Sequence, residues 1–112
     1  MTDDPPDARE SPASAERRRL LEALHDHLAA TAELPVRREA SLFLGEAEAV
    51  AADLSAPGRE PDPDVVRERV GHVGDLLGRV EATEDPRADD HVEAARELVA
   101  RIEGLLETGD AD

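Results

Sequence analysis

Four histidines, at positions 25, 27, 72 and 91, are the side chains in this sequence with the widest chemical reach. Imidazole titrates near neutrality and ligates transition metals. Glu22-x-x-His25 has the spacing that places a carboxylate and an imidazole together on a helix of a diiron bundle. Such a site needs a second pair and two further carboxylates, all pointing inward. With 3.6 residues per turn, Glu22 points away from the apolar stripe Leu21, Leu24, Leu28, and His25 and His27 flank that stripe on opposite sides. Glu39 and Glu46 fall at the edge of the next helix. His72 lies beside Val65 and Leu76 near the middle of a third helix, and His91 faces inward in the first turn of a fourth. His25 and His72 are expected at similar height and His91 near an end, so the three candidate ligands His25, His72 and His91 do not converge. Each reads as a partly buried histidine at the edge of a core, with no metal and no cofactor expected.

Two further chemistries match in spacing only. Gly71-His72-Val73-Gly74-Asp75 resembles the exposed mid-helix histidine of a phosphotransfer domain. Those domains usually carry Lys three residues after the histidine and then a small residue, where this chain has Asp75 and Leu76. An acid there opposes the negative charge that develops on phosphoryl transfer. Glu81-x-x-Glu84 has the spacing of the Mg²⁺-binding carboxylates of all-helical nucleotide pyrophosphatases, but falls at the end of the third helix and in the turn after it. Glu93-x-x-x-Glu97 faces away from its seam. In so acidic a chain these spacings read as solvated faces.

Gly71, Gly74 and Gly78 are of another kind: on a helical wheel they share one strip opposite the seam Val70, Val73, Leu77. An interior helical Gly costs about 1 kcal/mol relative to Ala. The strip reads either as a groove where another helix approaches closely or as the small surface residues of a salt-adapted chain, and Leu42, pointing out of the second helix, is grouped with it as an interaction surface. The partner expected through the third helix is a second copy or another protein.

The elements that carry these residues follow from apolar periodicity. Residues 1–13 are polar, hold three prolines and lack periodicity, so they are expected to be a disordered acidic tail. Helices are predicted over 15–32, 35–54, 63–83 and 86–107, with 108–112 as a frayed tail. The first is capped by Ser14 and turns Leu21, Leu24, Leu28 and Thr31 inward, with Leu20 alongside. The second starts at Pro35 and has the heptad seam Val36, Ala40, Phe43, Ala47, Val50, Leu54. Ser55–Pro61 is a loop. Asp62-Pro63 starts the third, with Val66, Val70, Val73, Leu77 and Val80 inward and Val65 and Leu76 widening the stripe. Asp85-Pro86 repeats the device before Ala88, Val92, Ala95, Val99, Ile102 and Leu106, with Leu98 and Leu105 beside them. Four such helices with short connections predict an all-α fold, an antiparallel up-down-up-down four-helix bundle. The connection Glu33-Leu34-Pro35 is read as a reversal rather than a kink, because two seams on one rod would find no partners.

Composition limits the setting. The 112 residues carry 28 Asp and Glu against 13 basic residues, all of them Arg, for a formal net charge of −15. Cysteine is absent, which removes disulfides and thiolate chemistry. No apolar run approaches a membrane span, and the acidic N-terminus is the opposite of a signal peptide, so a cytoplasmic protein is expected. The charge argues against nucleic acid, which is bound by clustered cations. Arg17-Arg18-Arg19 spreads around a helix and reads as solvated surface. An acidic, Lys-free chain is expected to suit concentrated salt, where self-repulsion is screened.

Glu33-Leu34-Pro35-Val36, Leu44–Val50, Arg69–Val73 and Ala88–Val92 together resemble a small family of uncharacterised haloarchaeal proteins, over roughly residues 18–107. The resemblance implies a salt-adapted cytoplasmic protein and supplies no activity. The expected function is a non-enzymatic helical interaction or scaffold module. The alternative is a metal- or nucleotide-dependent enzyme using the bundle histidines and carboxylates.

Overall fold

Side chains at the expected 3- and 4-residue spacings fold the chain into four helices. The computed structural model describes residues 12–56, 58 and 61–110. They form α1 (Pro12–Thr31), α2 (Arg38–Leu54), α3 (Pro63–Gly78) and α4 (Pro86–Asp110). The expected disordered tail lies outside the described residues up to residue 11; Pro12 and Ala13 belong to α1, so Ser14 sits inside the helix instead of capping it. At the other end α4 continues to Asp110.

The helices pack as a closed ring, α1 on α2, α2 on α3, α3 on α4 and α4 on α1. Arg69 reaches Asp53 at 3.3 Å while His72 approaches Glu46 at 3.9 Å, so α2 and α3 run in opposite directions. Inside the ring lie Leu20, Leu21, Leu24, Leu28 and Thr31 of α1, and the expected stripe of α4. Five Ala and six Val are among the 22 buried apolar residues, so the helices draw close around a thin core that buries little area per residue.

Three local departures from the expected elements have visible causes. In α2 the buried stripe is Ala40, Leu44, Ala47, Ala51, Leu54, while Phe43 and Val50 pack at its flank. Helix α2 also begins three residues later than expected. Pro35–Arg37 stay extended because the Arg37 N–H donates to the Thr83 carbonyl at 2.9 Å, tying this corner to the loop before α4.

Helix α3 stops at Gly78, not at residue 83. The chain turns there, with the Arg79 N–H on Leu76 O and the Val80 N–H on Leu77 O at 3.1 Å each, and Arg96 of α4 fixes the turn by donating from Nη2 to Leu77 O at 2.8 Å and Val80 O at 2.9 Å. Val80 then turns into the core as a loop residue, and Val65, expected to widen the stripe, is exposed. Asp62 holds the N-cap position of α3 without a side-chain cap bond.

The matching position before α4 is fully used. Asp85 Oδ1 accepts from the N–H groups of Arg87 at 2.9 Å and Ala88 at 3.2 Å, the N-cap arrangement. Thr83 braces it: its hydroxyl accepts the Asp85 N–H at 3.1 Å and lies 2.7 Å from Asp89 Oδ1, which also accepts the Thr83 N–H at 3.1 Å. Glu84 between them has φ 69, the left-handed region uncommon for a residue with a Cβ.

Candidate functional site

The four histidines are distributed over three different contacts. His25, half-buried on α1, places Nε2 3.6 Å from Glu48 Oε2 of α2. His72, exposed on α3, places Nε2 3.9 Å from Glu46 Oε2 on the other flank of α2. Those two stand at nearly one level with α2 between them. His91 is in neither contact: its Nδ1 lies 2.9 Å from Nδ1 of His27, joining α4 to α1. Of the candidate ligands His25, His72 and His91, no two are brought together. The close pair includes His27, which is not among the candidate ligands His25, His72 and His91. Its signal was available, because His27 is one turn from the end of α1 and His91 just over one turn into α4.

The other carboxylate spacings come apart in the same way. Glu81 and Glu84 lie in the loop after α3 and are exposed, and Glu22, Glu93 and Glu97 are exposed on their helices. The buried polar side chains, Thr31, Thr83 and Asp85, serve the fold: Thr31 Oγ1 donates to Leu28 O, and the other two build the start of α4. The Arg87 guanidinium bonded to Asp85 holds its carboxyl below the usual aspartate range, with help from the Ala88 N–H and against the opposing effect of burial.

The glycines do not share one open strip. A Cβ at Gly71 or Gly78 would meet nothing within 4 Å, but one at Gly74 would lie 3.4 Å from Val99 Cγ1 of α4. Gly74 thus belongs to the α3–α4 contact inside the bundle. Leu42 is 68% exposed and stands apart from the glycines, at the start of α2.

Around that start the surface is concave. A cleft of about 330 Å³ opens between Arg37, Ala40 and Phe43 on one side and Arg79–Ala82 on the other. A shallower groove of about 470 Å³ adjoins it through Arg37 and Glu39, and is lined also by Arg38, Leu42 and Glu84. Arg37 is committed to Glu39 at 3.0 Å and more loosely to Glu84 at 3.9 Å. Arg38 has no partner among the described residues. This corner was not legible as a site, because it depends on the late start of α2 and the early end of α3.

Residues 20–108 match a family model described as Domain of unknown function (DUF8152). The chain belongs to that family. The match begins at Leu20, where the buried stripe of α1 starts, and runs past the buried Leu106 of α4, so it takes in parts of all four helices that line the core. No curated protein and no solved structure matches the chain. Among the described residues no helix is long and apolar enough to cross a membrane.

Proposed function

We propose that the chain is a non-enzymatic helical interaction module, adapted to the concentrated salt of a haloarchaeal cytoplasm, that engages a second copy of itself through the start of α2. The observation that carries this reading is Leu42, whose apolar side chain is 68% exposed on the wall of an open groove. An exposed leucine in a groove whose one cation without a partner among the described residues is Arg38 suits a partner surface that offers an apolar side chain beside a carboxylate. On this chain Val65, the other large apolar side chain exposed among the described residues, follows Asp64 in α3. The use of Thr31, Thr83 and Asp85 in helix ends supports the non-enzymatic side of the reading, since the buried polar groups have structural work.

Mass measurement by light scattering in molar salt tests it, comparing the parent with Leu42→Arg. The parent is expected to be an oligomer that Leu42→Arg reduces to single chains with unchanged helical circular dichroism. A monomeric parent, or an oligomer indifferent to Leu42→Arg, would overturn self-association through α2. Gly78→Arg is the companion for the third-helix surface, because its Cβ position is open, whereas Gly74→Arg would strike Val99 and disturb the fold itself.

A further inference from the structure

The contact between His27 and His91 has no structural duty comparable to the helix caps. Both rings are half-buried, one on α1 and one on α4, and they meet Nδ1 to Nδ1 at 2.9 Å with centroids 5.1 Å apart and planes tilted by 50°. The centroid distance means that the two nitrogens point nearly at each other. Without a metal the pair is satisfied by one proton, which one ring donates and the other accepts.

We infer that His27 and His91 form a two-histidine chelate for a late first-row divalent cation; the proton shared between the Nδ1 atoms passes to Nε2 of the ring that donated it, which frees both Nδ1 lone pairs for the ion. Two imidazole nitrogens each about 2.0–2.1 Å from a metal, in adjacent positions at right angles, stand about 2.9 Å apart. The observed separation shows that both Nδ1 atoms reach one point in space, and the affinity order of nitrogen sites puts Cu(II) ahead of Ni(II) and Zn(II) there. The metal sits off the line between the nitrogens, so each ring turns about χ2, a broad torsion that permits the movement. Water completes the coordination, since no group of three His, Asp or Glu suited to a metal is present among the described residues. Binding would staple α1 to α4 near the end of the bundle where α4 starts.

Untagged full chain, isotopically labelled and folded in molar salt, is titrated separately with Cu(II), Ni(II) and Zn(II) in a non-coordinating buffer. Calorimetry is expected to show one ion per chain, with Cu(II) bound most tightly. The imidazole nitrogen resonances of His27 and His91 should shift together with Zn(II), at Nδ1, while those of His25 and His72 hold. Saturation should raise the thermal midpoint by at least about 4 °C. His27→Gln and His91→Gln should each abolish both effects, and His25→Gln and His72→Gln neither. Resonances of His27 and His91 that stay in place at saturating metal would overturn the inference, as would equal shifts at all four histidines. Because those spectra are read on the parent chain, the result stands even where a variant loses its fold.

Discussion

Asp85 concentrates more of the fold's polar order than any other side chain described. It caps α4 through two backbone N–H groups, pairs with Arg87 at 3.0 Å, and is braced by Thr83. Its carboxyl is held below the ordinary aspartate range chiefly by the bond from Arg87. A group whose pKa is lower in the folded state contributes stability that is fully present above its unfolded value, about 3.9, and is lost as pH falls through the folded value. The bundle should therefore lose stability on the acid side in part through this residue. Asp85→Asn keeps a good N-cap while removing the titrating group. It is expected to leave the helical signal at neutral pH intact and to make the denaturation midpoint fall less steeply below pH about 4. An unchanged acid slope in a folded Asp85→Asn protein would mean that the bond to Arg87 is not maintained in solution.

The stripes of α1 and α4 were legible in the sequence, because their apolar residues at 3- and 4-residue spacing, even where doubled at Leu20-Leu21 and Leu98-Val99, all fall on one face. Helix α2 offers two faces. Its seams Ala40-Phe43-Ala47-Val50-Leu54 and Ala40-Leu44-Ala47-Ala51-Leu54 share three residues and differ by adjacent pairs, about 100° apart. Periodicity cannot choose between them; packing does, for a core walled by alanines and valines accepts Leu44 where a Phe ring would hold the helices apart. The end of α3 was hidden for a different reason. Arg96, which bonds the Leu77 and Val80 carbonyls at that turn, comes from 16 to 19 residues further along the chain. The His27–His91 contact lay between these cases, since helix heights alone would have paired them. The face chosen by α2 has a measurable consequence. Leu44→Ala opens a cavity in the closed core and is expected to cost about 2–5 kcal/mol. Phe43 borders a cleft already open to water, so Phe43→Ala should cost distinctly less despite removing a larger side chain. Urea denaturation of both variants in concentrated salt decides the matter, and a larger loss at Phe43 would restore the heptad seam as the inward face.

For the molecule as a whole, charge and core oppose each other. With 28 acidic residues against 13 arginines, at least 15 carboxylates have no cation to match them one for one. Apart from Asp85–Arg87, the Arg pairs on the described residues are exposed, such as Glu16–Arg19 at 3.0 Å and Asp64–Arg67 at 2.9 Å. Exposed pairs of this kind contribute about 0–1 kcal/mol each, too little to offset a field of uncompensated charge. Adjacent helices stand about 8–10 Å apart. At 0.1 M salt the Debye length is about 10 Å, so repulsion spans the gap between neighbours; at 1 M it is about 3 Å and does not. A core with half of its buried apolar residues Ala or Val has little reserve against that repulsion. Helical circular dichroism is accordingly expected to fall when the protein is diluted into low salt and to return on adding potassium chloride. The thermal midpoint should rise steadily between those limits. Neutral osmolyte at matched water activity separates screening from a general effect on solvent: it should restore less of the signal than salt does, because it leaves the charges unscreened. A bundle equally folded at both ionic strengths would show that its packing, thin as it is, outweighs the repulsion among its carboxylates.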